Sequence, residues 1–364
     1  MKLLTALVIL NILLFADVNS KEDNSNQNLQ KGLELLKEKK IKKAEKLLKK
    51  ACDKGIGEGC FHLGRIYDNG IVVKKDYTKA IAFYKEAIKK DYPKAYASLG
   101  IMYSNGKGVK VDNKKALELF IQSCDKNSSF GCTNLGTMYL DGIEVKVDRV
   151  KALKLYTKAC ENGEGNACFF LASELWEESD STTLYNLYMR ACELGTSDGC
   201  MALGAMYKRG LGIPQNYFKA KKLYQKACDD GSAGGCSNLG HMYLEGKGVR
   251  QNSPKAVELY RRACIGEEVV GCSSRGCLSL GTMYLLGKGI QQDKAKAIKI
   301  MEDACYGKNP SSAYCDQGDP DACNLVGRVY FDAKEYSKAK KFFGHSCELE
   351  NRDGCNAYRV LNQR

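Results

Sequence analysis

The stretch CSNLGHMYLEG, residues 236–246, recurs with few changes as CTNLGTMYLDG (132–142), CMALGAMYKRG (200–210) and CLSLGTMYLLG (277–287). Self-similarity at a fixed period marks a repeat architecture and outweighs any reading by length alone. Taking the residue after the leucine as the anchor of each copy gives Gly64, Gly100, Gly136, Ala172, Gly204, Gly240, Gly281 and Gly327. These anchors stand 36, 36, 36, 32, 36, 41 and 46 residues apart, and Gly32 makes an earlier one. Nine units then fill residues 29–355, behind a leader at 1–20 and a linker at 21–28, with 356–364 as a C-terminal cap.

Each unit reads as two helices. Around the anchor, Cys at −4, Leu at −1, Met at +2 and Tyr at +3 fall within one arc at 100° per residue, the apolar face of a first helix. A glycine at the anchor lets a neighbouring helix approach closely. A second glycine at +6 (Gly106, Gly142, Gly210, Gly246, Gly287) suits the left-handed residue that ends a helix. Asp76, Asp112, Asp148, Asn216, Asn252 and Asp293 each precede an alanine by four residues, as N-caps of a second amphipathic helix such as KALKLYTKAC (151–160). One hairpin cannot bury its apolar face, but a stack of them can, so the expected fold is an all-α, right-handed α-solenoid.

The unit LGxMYxxGxGV…D/N…KA…LYxKAC closely resembles the Sel-like repeat, a relative of the tetratricopeptide repeat. With its leader and its paired cysteines, the whole chain resembles the secreted Helicobacter cysteine-rich proteins. It departs from that pattern in a cysteine-free second unit, a degenerate fourth (FFLASELW, 169–176) and insertions after Cys264 and Cys305.

Eighteen cysteines are too many for a reduced cytosolic enzyme of 364 residues and point to an oxidising compartment. The N-terminus agrees: an apolar run from Leu3 to Phe15 is followed by Val18 and Ser20, which suit a signal-peptidase cut before Lys21. That run is shorter than the roughly 20 residues a membrane span requires, although an uncleaved anchor is the alternative. The expectation is a secreted protein, extracellular or periplasmic, and monomeric. The net charge of +13, carried by 44 Lys against 12 Arg, favours acidic partners. Export and the shortage of Arg argue against nucleic acid.

Six cysteine pairs follow a Cys-x7-Cys rule that joins one hairpin to the next: Cys52–Cys60, Cys124–Cys132, Cys160–Cys168, Cys192–Cys200, Cys228–Cys236 and Cys347–Cys355. In the second unit Ile88 and Tyr96 replace both partners together, as a covalent pair requires. Counting from the anchors assigns Cys264–Cys277 and Cys305–Cys323 across lengthened loops. Cys272–Cys315 is then a brace between the two insertions. The alternative is 264/272, 277/305 and 315/323. Zinc is disfavoured, because the chain has no Cys-x2-Cys and only three histidines. No cofactor is expected.

The Helicobacter resemblance implies penicillin binding and β-lactamase activity. A serine β-lactamase uses Ser-x-x-Lys with Ser-Asp-Asn and Lys-Thr-Gly. Only Ser-x-x-Lys occurs, at Ser104/Lys107, Ser123/Lys126 and Ser337/Lys340, about as often as chance allows, and no catalytic residue is assigned. Binding is better supported. Positions −2 and +1 vary from unit to unit on the face opposite the apolar arc. Related solenoids clamp extended peptides there with Asn and basic residues. Asn134, Asn238, Arg65 and His241 are the candidate ligand-binding residues. The partners this implies are a host protein segment, a cell-wall muropeptide or a β-lactam. Against that stands an ordinary wet helix surface, with Trp176 as packing in the fourth unit.

Overall fold

The computed structural model describes residues 26–70, 75–265, 274–307 and 318–363, and among them every regular element is an α-helix. The hairpins run α1 (26–37) with α2 (Ile41–Asp53), α3 (Gly57–Asn69) with α4 (Tyr77–Lys89), and α5 (Pro93–Ser104) with α6 (Asn113–Asp125). They continue as α7 (Ser129–Asp141) with α8 (Arg149–Glu161), then α9 (Gly165–Glu174) with α10 (Ser181–Glu193). Next come α11 (Ser197–Arg209) with α12 (Tyr217–Asp229), and α13 (Ala233–Glu245) with α14 (Ser253–Ile265). The last are α15 (Ser274–Leu286) with α16 (Lys294–Cys305), α17 (Pro320–Asp332) with α18 (Tyr336–Glu348), and a closing α19 (Arg352–Asn362). This is an α-solenoid. It divides into two compact units, Met1–Ala167 and Cys168–Arg364. In the first, α5 packs on both α6 and α7; in the second, α13 packs on α11, α14 and α15.

The side chains around the anchor explain why glycine stands there. A Cβ added at Gly136 would come within 2.7 Å of the Tyr156 ring in the facing helix, and one at Gly240 within 2.7 Å of Tyr260. The buried tyrosines of α4, α8, α12 and α14 thus lie on bare backbone and occupy the centre of each hairpin. The loop is equally determined. Gly142 has φ 68° and donates its N–H to the Met138 carbonyl, so the left-handed residue closes the first helix.

The second helix starts on a double contact. Asp112, Asp148, Asn216, Asn252 and Asp293 each accept the backbone N–H of the lysine three residues on. In four of these units that lysine also lies over the tyrosine at +3 of the first helix: Lys115 on Tyr103, Lys151 on Tyr139, Lys219 on Tyr207 and Lys296 on Tyr284. Such cation–ring contacts contribute about 0.5–1 kcal/mol each at exposed sites. They tie both ends of the loop together.

The hairpins are covalently joined. Disulfides link Cys52–Cys60, Cys124–Cys132, Cys192–Cys200, Cys228–Cys236 and Cys347–Cys355, each eight residues apart. Cys264–Cys277 and Cys305–Cys323 span 13 and 18 residues. Cys160 and Cys168 are also disulfide-bonded. Cys272 and Cys315 lie outside the described residues, as does the leader at 1–20. Helix α1 begins at residue 26, inside the stretch read as a linker, and α19 runs through the stretch read as a cap. Trp176 differs from its reading as packing: it is 46% exposed, with its ring tilted against that of Tyr188 at 6.5 Å between centroids. The turn that ends α9 early lifts it out of the core.

Candidate ligand-binding clefts

In the first unit, the first helices of successive hairpins line a polar cleft of about 370 Å³. One residue from the second position of each helix reaches it: Glu58 of α3, Lys94 of α5, Phe130 of α7 and Asn166 of α9. These four stand 36 residues apart, six before their anchors. The −2 and +1 residues of the first two of these hairpins, His62 with Arg65 and Ser98 with Ile101, continue the wall. Position −6 is one helical turn from −2 on the same face. Extending the variable stripe by four residues in the sequence would have found it.

The floor is aromatic. Phe61 packs against Tyr92 at 5.0 Å and Tyr84 at 6.0 Å between ring centroids. Burial, with the field of Glu58, raises the Tyr92 phenol to about 12, so it stays a hydrogen-bond donor. Two cations flank the opening. Arg65 and Lys94 are exposed, and neither forms an ion pair with any described residue. Arg65 lies over the Phe61 ring, at 6.0 Å.

His62 lies 3.7 Å from Glu58, yet it carries no charge at neutral pH. Burial, together with Arg65 and Lys94, lowers its pKa from 6.5 to about 4. Because the folded pKa is the lower one, the unfolded chain takes up a proton first as pH falls. Stability contributed by His62 is therefore complete above pH 6.5 and is lost between 6.5 and about 4. The difference in urea midpoint between wild type and His62→Gln is expected to change across that window and to be flat above it. Burial also raises the Glu164 carboxyl at the cleft, against the opposing field of Lys94.

A second cleft, of about 560 Å³, lies on the other side of α3, against α1 and α2. Its walls are mainly apolar, formed by Leu33, Leu36, Ile41 and Ile66. His62, Arg65 and Asn69 line both clefts. They fall at i, i+3 and i+7 on α3, one stripe of that helix.

The four residues read from sequence as ligand-binding are divided between the units. Arg65 lines both clefts, as described. Asn134 is half-buried and donates its amide to the Phe130 carbonyl at 2.7 Å, within its own helix. In the second unit His241 makes a 2.8 Å hydrogen bond with the Ser237 carbonyl through Nδ1 and sets its ring edge-on to Tyr260. Asn238 is half-buried on the same helix. Nearby, burial lowers the Lys208 pKa, with Arg209, Lys247 and Arg275 adding to the effect and Glu245 opposing it.

Of the Ser-x-x-Lys pairs, Ser123 is fully buried and donates to the Pro93 carbonyl at 2.8 Å, while Lys126 pairs with Asp91. Ser104 donates to Ile101 in its own helix. Ser337 and Lys340 line a cleft of about 470 Å³ with Tyr306, Lys341 and His345. The metal-ligating types that converge among the described residues are Cys305, Cys323 and His345. The two sulfurs are bonded to each other, which leaves no thiolate for an ion.

The hairpin of about 36 residues, with bare-backbone anchors and an N-capped second helix, defines a class of repeat protein. A Sel1 repeat family model matches residues 27–56, 57–92, 93–128, 129–164, 197–232, 233–266 and 274–309, more than half of the chain. The chain belongs to the Sel1 repeat family. The match skips the hairpins anchored on Gly327 and on Ala172, the latter having a short loop and an exposed Trp176.

Two solved structures share the fold. One is c5321, a protective antigen present in uropathogenic Escherichia coli strains, with TM-score 0.51 and 25% identity over 93% of this chain and 72% of that one. The other is a Sel1 repeat protein from Oxalobacter formigenes, with TM-score 0.53 and 24% identity over 87% and 91%. An uncharacterized protein of Haemophilus influenzae is 55% identical over 46 residues, 13% of this chain and 83% of that protein. Proteins built from such repeats bind other proteins or peptides. The disulfides are those of an oxidising, extracytoplasmic environment. No described helix is long and apolar enough to cross a membrane.

Proposed function

We propose that this is an exported, disulfide-stapled binding module, related to the secreted Helicobacter cysteine-rich proteins, that holds an extended peptide or protein segment against the first helices of its N-terminal hairpins. The observation that carries this reading is the row Glu58, Lys94, Phe130 and Asn166. Four hairpins each place one dissimilar side chain in a single cleft. A shared cleft with one variable residue per repeat reads an extended ligand stepwise, while the cysteines and anchors keep the spacing constant. The test is a photo-crosslinking amino acid placed at Ser98, in the cleft, or at Val111, exposed on a loop. Peptides from a random library are expected to crosslink at Ser98 in excess of Val111. Equal labelling at both positions would overturn the reading.

β-Lactam hydrolysis is the second reading, and the Ser337/Lys340 cleft is the observation that keeps it. A hydroxyl beside an amine can open a lactam only if the amine takes its proton and an oxyanion site receives the carbonyl. No turnover of a chromogenic cephalosporin above the buffer rate is expected. Turnover abolished by Ser337→Ala would establish the enzyme instead.

A further inference from the structure

The two clefts beside α3 differ in chemistry, share one stripe of residues and lie on opposite sides of a single helix. Leu33, Leu36, Ile41 and Ile66 offer a volume of about 560 Å³ to an apolar group. That lies within the range of about 300–1,000 Å³ typical of ligand pockets. On the other side, Asp68 has Lys107 4.0 Å away, and burial raises the Glu164 carboxyl against the opposing field of Lys94. Glu58 has the uncharged His62 3.7 Å away and is not offset by it. Arg65 and Lys94 remain exposed and outside any ion pair among the described residues. The cleft also lies against the N-terminal turns of α3, α5, α7 and α9, which add positive potential.

We infer that the ligand of this site, taken to be the peptide groove proposed above, is a segment with an apolar side chain and an acidic side chain about three residues apart. The apolar group fills the cleft between α1 and α3, and the carboxylate meets Arg65 and Lys94 across the α3 stripe. The spacing follows from size. A helix with its side chains is about 10 Å across, and extended chain covers that distance in about three residues. Asn69, on the same stripe and exposed, is placed to bond the peptide backbone between the two groups.

The probe is a fluorescein-labelled decapeptide with Leu and Asp three residues apart in a Gly/Ser background. It is compared with versions carrying Asn for Asp, Lys for Asp, or Ser for Leu. Fluorescence anisotropy is expected to show binding at least tenfold tighter for the Asp peptide than for the Asn peptide. Leu33→Gln should abolish the preference for Leu over Ser. Arg65→Glu combined with Lys94→Glu should reverse the preference, so that the Lys peptide binds best; both residues are exposed, and circular dichroism checks that the variant is folded. If peptides bind, and binding is lost in Leu33→Gln but is indifferent to Asp against Asn, the acidic requirement is overturned while the groove stands. If no peptide binds, or Leu33→Gln and the double variant leave binding unchanged, the groove itself is overturned, and this inference with it.

Discussion

Complete reduction of the disulfides is expected to unfold the protein at room temperature. A bond closing eight or nine residues removes roughly 2.5 kcal/mol of unfolded-state freedom on chain-entropy grounds, and the 18-residue closure at Cys305–Cys323 somewhat more. Seven such bonds link the pairs named above, and Cys160 and Cys168 are disulfide-bonded as well. Their joint contribution exceeds the ~5–15 kcal/mol of net stability typical of a folded domain. Thermal melts followed by circular dichroism, with and without a phosphine reductant, measure the effect. A midpoint within a few degrees of the oxidised protein would mean that packing alone holds the stack. The joint between α4 and α5 is an internal control, because Ile88 and Tyr96 stand there in place of cysteines. In the oxidised protein, amide exchange at this joint is expected to be faster than at the stapled ones.

The second large effect is expected at Tyr156. This side chain is 1% exposed, lies on the bare backbone of Gly136 and bonds the Thr137 hydroxyl at 2.9 Å. Truncating a buried aromatic to alanine costs about 3–5 kcal/mol, so Tyr156→Ala should lower the urea midpoint sharply. Gly136→Ala pushes a methyl to 2.7 Å from the ring and should cost about 1–3 kcal/mol by overpacking. The two changes should not add, since the cavity left by the tyrosine receives the new methyl. A double variant as unstable as the sum of the singles would show that the anchor glycine serves something other than this ring.

The parts of the fold legible in the sequence are those in which one residue type answers one local need. Gly142 at positive φ, Asp148 capping Lys151 and Cys124 paired with Cys132 each sit at a fixed offset from an anchor. The ring that fills each anchor could be located only after folding, because Tyr156 lies twenty residues downstream of Gly136 and on another helix. The lysine over the +3 tyrosine, as Lys151 over Tyr139, escaped for the same reason.

The candidate site was less legible. Arg65 and the −2 and +1 positions were found because variation within a regular pattern marks a surface free of packing. Asn134 spends one amide hydrogen within its own helix, on the carbonyl of Phe130 four residues back. Glu58, Lys94, Phe130 and Asn166 were missed because they precede the conserved-looking core of each unit by a turn. Charge, aromatic ring and amide show no common type until the fold sets them side by side.

Most of the staples reach only eight residues along the chain, and each joins consecutive helices. Such a chain has little need to wait for distant partners. A joint can close once its two helices have met, and loops of this length close within tens of nanoseconds, so oxidation rather than search sets the pace. The order of assembly can then follow the order of emergence, N-terminal hairpin first, with each locked joint serving as the template for the next. At the eight-residue joints mispairing is suppressed by the same locality, because a cysteine's nearest neighbour in time is also its native partner; Cys264 and Cys305 lack this protection, since Cys272 and Cys315 emerge before their partners Cys277 and Cys323.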